Sequence, residues 1–359
     1  MNNPFDCPHF GTCSGCEIGT LHPPIWQDVQ AFLGPLHPTL HIDGFSQTRL
    51  KAKLAVRPGP SIGLYKKNSH TVLPIPNCLV HHEAINRAAA YLSEQMIQTS
   101  LSAYNENPPT GLLRYMQFFV QRETQKVQLV LVVNAAHSTP ELNQFCENIQ
   151  QADFWHSIWL NFHPEASNRI LSDSWHLVSG ETYLYQTLNH IPLAFHPGAF
   201  SQSHLSLFEK MMQRIESWVY PNEKIIEFYA GVGAISIPLS KKTPHIQLVE
   251  NNPYAFLSYQ EMGYPFPYHA ANAQEKSHLI KDSQLIIVDP PRKGLDEKIL
   301  SSLCEQNKKR LIYVSCGFSS FKKDAAKLLN SGWTLKEADG YLLLPGTNHV
   351  ELLTLFEKM

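Results

Sequence analysis

The sequence predicts an α/β protein in which a doubly wound domain over residues 196–359 follows an α+β region that carries a group of cysteines. Three observations predict it. From Phe195 to the C-terminus, apolar strand-like runs alternate with helical stripes, the order that crossover connections over a parallel sheet impose. The run KIIEFY ends in a glycine turn, Gly231-Val232-Gly233, at the strand end where open α/β sheets hold their ligands. Before Phe195, strand-like segments succeed one another across short polar turns, which favours antiparallel pairing. The expected divisions are a cysteine and basic-strand region over 1–85, a central α+β domain over 86–195 with part of 86–115 packing against the last domain, and that last domain over 196–359.

Composition sets the class. At 359 residues, 43% hydrophobic and 17% charged, the chain can bury a large core. The segment from Met1 to Pro8 has neither a basic start nor an apolar run, and no apolar stretch approaches the length of a membrane helix. A cytoplasmic protein with no membrane association and no obligate protein partner is expected. The net charge of −2 argues against indiscriminate adhesion to nucleic acid. Yet no Asp or Glu occurs from Gly44 to His82, while Arg49, Lys51, Lys53, Arg57, Lys66 and Lys67 all fall there. That stretch reads equally as a phosphate-binding face or a solvated sheet surface.

Near the N-terminus, DCPHFGTCSGCEIG spaces Cys7, Cys13 and Cys16 as C-x5-C-x2-C, and Cys78 follows in PIPNCLVHH. Four thiolates suit tetrahedral zinc or a four-iron cluster. The lopsided spacing, without paired C-x2-C knuckles, favours iron and sulfur, and His9, His81 and His82 stand close enough in sequence to be alternative ligands. The C-x3-C-x2-C pattern of radical enzymes is absent, so four filled positions point to a structural or RNA-ordering cluster.

The elements then follow in order. HHEAINRAAAYLSEQM has a helical stripe at Ile85, Ala88, Ala89, Leu92 and Met96. LLRYMQFFVQRETQKVQLVLVVNA reads as two strands about a turn at 123–125, and SIWLNFHP and WHLVSG as two more. A helix carrying Leu207, Phe208, Met211, Ile215 and Trp218 is expected to start from a cap at Ser203. KIIEFYAGVGAISIPLS reads as strand, glycine turn and helix, with Ser236 where a dinucleotide fingerprint would place its third glycine. The strand HIQLVE ends in Glu250, whose carboxylate can accept from ribose hydroxyls. Adenosine without a diphosphate fits this pattern, hence S-adenosylmethionine; the turn alone also leaves NAD open. QLIIV ends in Asp289-Pro290-Pro291, a stiff loop that presents an acid at the same edge. LIYVS ends in Cys316, and LLLPGTNHVELLTLF brings Thr347, His349 and Glu351 to the start of a last strand there.

A thiol, a carboxylate and a methyl donor at one edge answer a specific chemical problem. C5 of uracil is a poor nucleophile until a thiolate adds to C6, and a base must afterwards remove the C5 proton. At these residues the chain resembles the bacterial RNA uridine-C5 methyltransferases, which make 5-methyluridine in ribosomal and transfer RNA. The likeness runs through the cysteine group, Phe200-Ser201-Gln202, Gly231-Val232-Gly233, Asp289-Pro290-Pro291-Arg292, Ser315-Cys316 and His349-Val350-Glu351. It implies a Rossmann-like class I methyltransferase domain behind an N-terminal iron–sulfur-containing RNA-binding region. It also implies Cys316 as nucleophile and Glu351 as base. Gln202, Tyr229, Gly231, Glu250, Asn272 and Asp289 would hold S-adenosylmethionine, and Cys7, Cys13, Cys16 and Cys78 a [4Fe-4S] cluster. Two departures stand out: Glu227-Phe228-Tyr229-Ala230 before Gly231, and Gly317-Phe318 where the family has Asn-Pro. The short N-terminus is similar to the 23S ribosomal-RNA branch, with transfer RNA as the alternative substrate. Rival readings are a methyltransferase acting on a base nitrogen or a small molecule, and an iron–sulfur or zinc RNA-binding protein without catalysis.

Overall fold

Two separate sheets organise the chain, one in each of two compact units. In the computed structural model, which describes residues 6–165, 167 and 169–359, the first unit comprises 1–19 and 44–186 and the second 20–43 and 187–359. Residues 20–43, inside the segment 1–85 that the sequence reading kept together, thus go with the second unit.

In the first unit seven strands run in the order Trp175–Gly180, Trp155–Phe162, Val127–Val133, Leu113–Val120, Lys51–Arg57, Ser61–Tyr65 and Val72–Pro74. All pairs are antiparallel except Val127–Val133 with Trp155–Phe162, which the helix Pro140–Ile149 connects. Val127–Val133 is buried at every position because both its faces are covered. Helix Glu83–Thr99 buries the expected stripe of Ile85, Ala88, Ala89, Leu92 and Met96, and Ala84 with it. Its first turn is capped by His82 Nδ1, which accepts from the Ala84 N–H at 3.2 Å.

In the second unit eight strands run in the order Thr39–His41, Thr334–Tyr341, Glu351–Lys358, Lys309–Ser315, Leu285–Val288, Ile225–Phe228, Ile246–Glu250 and Tyr268–Ala270. Glu351–Lys358 is antiparallel to both its neighbours, and every other pair is parallel. Ile225–Phe228 and Leu285–Val288 are buried throughout, as expected for the middle of a doubly wound sheet. Alternate residues Ile226, Phe228, Ile286, Val288, Leu311 and Tyr313 face a core shared with helices Ile25–Leu33 and Phe318–Asn330. The loops after four parallel strands consequently gather at one carboxyl edge.

Two local expectations change. Helix Leu205–Trp218 starts at His204 without a side-chain cap, not at Ser203. Asp43 instead ties its first turn, accepting from Ser206 Oγ at 2.7 Å and Lys210 Nζ at 3.0 Å. After the glycine turn there is no α-helix but a 3-10 segment, Ile237–Lys241. The Ile237 N–H donates to the Gly233 carbonyl at 2.9 Å, but Pro238 lacks an N–H and the Ser236 N–H is drawn to Glu227 Oε2 at 3.1 Å, so this single i to i−4 bond is not continued.

Candidate active site

The site is built from loop residues whose backbone the strands fix. At the end of Ile225–Phe228 the chain turns through Tyr229, Gly231 and Gly233 at φ of 60°, 55° and 86°. A side chain at Gly233 would also place its Cβ 2.6 Å from Ile237 Cδ1, so both conformation and space call for glycine. The Gly231 N–H donates to Glu250 Oε2 at 2.9 Å, and the Gly231 carbonyl accepts from the Tyr268 hydroxyl at 2.8 Å. Glu250 Oε1 accepts from the Asn251 and Asn252 N–H groups, each at 2.8 Å. The backbone thus orients this carboxylate and leaves lone pairs for further donors.

Next to the turn lies a cavity lined by Phe200, Gln202, Glu227, Tyr229, Gly231 and Asp289, among others. Gln202, Tyr229, Gly231 and Asp289 are therefore brought together as expected. Asn272 is not among the residues lining that cavity; its Oδ1 accepts from Asn251 Nδ2 at 2.9 Å and its Nδ2 donates to Glu275 at 3.0 Å, which puts it one residue contact away from Glu250. Burial, with the Glu250 charge, pushes the Asp289 carboxyl up to about 7.

Sheet register sets the thiol beside its carboxyl. Ser315 pairs with Leu352 across antiparallel strands, so Cys316 and Glu351 meet at the same end. Glu351 Oε1 is enclosed and has no hydrogen-bond partner among the described residues. Burial and then the Asp289 charge hold the Glu351 carboxyl well above the usual range, against the Arg292 guanidinium. Cys316 is half-buried and free, and burial, Glu351 and Asp289 push its thiol up to about 11, again with Arg292 opposing. The arrangement can hold a proton on either group and release it when a cation or a substrate changes the balance.

In the first unit Cys7, Cys13, Cys16 and Cys78 line one cavity with His9, His81 and Arg49. All four are free thiols, and those of Cys13, Cys16 and Cys78 are raised by burial and by one another's charge, Cys16 to about 11. The donors are chemically those a thiolate-ligated centre uses, although among the described residues no group of three or more His, Cys, Asp or Glu side chains is spaced to hold a metal ion. His82 is committed to its helix cap. The acid-free stretch divides: Lys66 and Lys67 are exposed, whereas Arg57 is buried between Tyr65, Tyr104 and Tyr115 and bonded to Glu106, which makes it structural.

Sequence reasoning passed over Glu227, Tyr268, Arg292 and Asp324. Glu227 and Arg292 stand inside motifs that were read for other residues, and Tyr268 lies on a three-residue strand with no periodic signal.

A doubly wound domain with a glycine turn, an acid at the next strand end and a thiol–carboxyl pair at the same edge defines a group-transfer enzyme of the nucleotide-binding α/β class. Residues 277–359 match the family described as tRNA (Uracil-5-)-methyltransferase. A protein of Protochlamydia amoebophila described as an uncharacterized RNA methyltransferase is 41% identical over 98% of this chain and 97% of its own length, and one of Halalkalibacterium halodurans described in the same words is 26% identical over 98% and 82%. The tRNA (uracil-54, C5)-methyltransferase of Pyrococcus abyssi, solved with S-adenosyl-L-homocysteine, shares the fold at a TM-score of 0.78 and 22% identity, over 92% of this chain and 81% of that one. The chain belongs to the RNA methyltransferase family of the Protochlamydia protein and is an RNA methyltransferase, with residues 277–359 similar to the uracil-5 family. Among the described residues no helix is long and apolar enough to cross a membrane.

Proposed function

We propose that the chain methylates C5 of a uridine in RNA, 23S ribosomal RNA in the first instance, with S-adenosylmethionine as donor. The observation that carries this reading is the meeting of Cys316 and Glu351, whose Oε1 is enclosed and unpartnered, at the carboxyl edge beside the glycine turn. Cofactor binding falls to Gln202, Tyr229, Gly231, Glu250 and Asp289, with Asn272 near the adenine end. S-adenosylmethionine supplies an electrophilic methyl group on a sulfonium.

The residues supply the rest. Deprotonated Cys316 Sγ bonds to C6, and the ring's electron pair moves to C5 and O4 as an enolate. C5 takes the methyl group as the bond from the methyl carbon to the sulfonium sulfur breaks, its electron pair returning to sulfur and leaving the neutral thioether of S-adenosylhomocysteine. Glu351 carboxylate then accepts the C5 proton, the C5–C6 double bond re-forms, and Sγ leaves as thiolate. Burial lets Glu351 hold that proton until solvent removes it.

In the cytoplasmic, reducing setting we infer, the four N-terminal cysteines stay free of disulfides. Their shared cavity supports a [4Fe-4S] cluster on Cys7, Cys13, Cys16 and Cys78. The regional division proposed is cluster and basic strands over 1–85, a central region over 86–195, and catalysis over 196–359, with residues 20–43 of the first segment added to the catalytic unit.

Methylation assays on ribosomal and transfer RNA test the reading. Cys316→Ala is expected to lose 5-methyluridine formation entirely. Glu351→Gln is expected to accumulate a covalent protein–RNA adduct visible as a band shift in denaturing gels. Full methylation by Cys316→Ala would sink the mechanism, and product in transfer RNA alone would move the substrate to the class named in the family description.

A further inference from the structure

Helix Phe318–Asn330 begins two residues after Cys316, and its first turns grip the loop that follows the strand Leu285–Val288. Ser320 Oγ lies 2.9 Å from the Arg292 carbonyl and 2.8 Å from the Gly317 carbonyl, donating its proton between them. One turn further, Asp324 is 8% exposed, and its Oδ2 accepts from the Leu295 N–H and the Tyr313 hydroxyl, each at 2.8 Å. From the glycine turn, the Tyr229 hydroxyl donates to Asp296 Oδ2 at 3.0 Å and accepts from the Asp296 N–H at 3.2 Å. The loop is therefore held at residues 292, 295 and 296.

Two glycines make this docking close. At Gly294, with φ of 87°, a Cβ would stand 2.6 Å from Asp324 Oδ2. At Gly317 a Cβ would stand 2.8 Å from Ser320 Oγ and 3.0 Å from the Arg292 carbonyl. The Gly317 departure thus has a physical use in this chain: it lets the Arg292 backbone approach the helix that starts beside the thiol.

We propose that Asp324, acting with Ser320, is a positioning residue of the active site: it fixes the 292–296 loop so that the Arg292 guanidinium is held near Cys316 and Glu351. The clamp matters because Arg292 is the cation that acts on both groups, while Glu351 and Asp289 act on the thiol in the opposite sense and the Tyr313 hydroxyl is committed to Asp324. Loosening the loop removes favourable charge from the thiolate without touching the nucleophile. The significance of the clamp rests on the reading of Cys316 as nucleophile, but its test does not.

The readout is the rate at which iodoacetamide alkylates Cys316, followed from neutral to alkaline pH by mass spectrometry of the peptide that contains it. Asp324→Ala is expected to slow alkylation at neutral pH by roughly three- to tenfold and to move the profile to the alkaline side, the effect of weakening one nearby charge. Asp324→Asn keeps an acceptor oxygen and is expected to restore most of the rate. Arg292→Ala should reproduce the shift, and the double variant should add little to either single one. Tyr313→Phe removes the other Asp324 contact and should leave the profile in place. An unmoved profile in folded Asp324→Ala, or full additivity with Arg292→Ala, overturns the proposal. Should Asp324→Ala not fold, Ser320→Ala and Gly317→Ala, which disturb the Ser320 contacts to the Arg292 and Gly317 carbonyls and leave Asp324 in place, are judged by the same shift. Methylation by Cys316→Ala would refute the nucleophile and leave the alkylation result standing.

Discussion

Glu227 is a carboxylic acid in the middle of an apolar strand, 1% exposed, with Oε2 accepting from the Ser236 N–H. Burial is the main cause that pushes it from 4.5 up to about 8, with Asp289 and Glu250 adding to it and Ser236 opposing. The native state therefore holds a proton that the unfolded chain releases. Stability from this group is complete below the ordinary carboxylate range and is lost as pH rises through about 8. Between those limits one proton corresponds to about 1.4 kcal/mol per pH unit. Urea denaturation is expected to show stability falling across that interval in the wild type and a flatter dependence in Glu227→Gln; equal slopes would refute the assignment. The placing of Cys316 and Glu351 at one sheet edge was legible in the sequence because both stand at the end of a strand-like run. Glu227 was not, since a carboxylate in a strand ordinarily marks a solvent-facing position, and only the packing around it shows otherwise.

At the scale of elements, strands buried on both faces were legible as continuous apolar runs, as in Ile225–Phe228, Leu285–Val288 and most of Lys309–Ser315. Trp175–Gly180, with no fully buried position, was legible from its strand-forming residues between turns. Thr39–His41 and Thr334–Tyr341 were missed for opposite reasons. The first is three residues long, and the second carries Lys336, Glu337 and Asp339, which hide its buried half. Together with helix Ile25–Leu33 they complete the catalytic sheet's far side. Trp26 anchors that helix against Gly340, where a Cβ would fall 2.4 Å from the indole Cζ3, and the Ile25 N–H is satisfied by Asn348 Oδ1 at 2.9 Å. Gly340→Ala is expected to cost about 1–3 kcal/mol through overpacking. Trp26→Ala is expected to cost about 3–5 kcal/mol, and the double variant less than the sum because the clash disappears with the ring. Denaturant midpoints of the three variants measure the coupling; strict additivity would show that the ring and residue 340 do not meet.

At the scale of the whole chain, the two units differ in what can hold them. The second has a large apolar core beneath a continuous sheet. In the first, the segment with Cys7, Cys13 and Cys16 has no helix and no named strand. A single bridge from Cys13 to Lys66, with backbone bonds from Ser14 to Tyr65 and from Lys67 to Thr12, ties it to the sheet. A centre that bonds Cys78 to the three earlier cysteines closes a long loop and restricts the unfolded chain as a cross-link does. The sequence showed these four cysteines as a group but not what they close upon, because ligand spacing carries no information about the chain between. Anaerobically purified protein is expected to be brown, with four iron and four sulfide per chain. Cys16→Ser is expected to lose that iron and, in hydrogen exchange, to lose protection over 6–19 and the neighbouring strands Ser61–Tyr65 and Val72–Pro74. Cys304→Ser, half-exposed in the other unit, should retain both iron and protection. Binding of S-adenosylmethionine by Cys16→Ser should persist, since every residue assigned to the cofactor lies in the second unit. Zinc in place of iron, or unchanged iron in Cys16→Ser, would overturn the cluster assignment while leaving the methyl-transfer site to stand on Cys316 and Glu351.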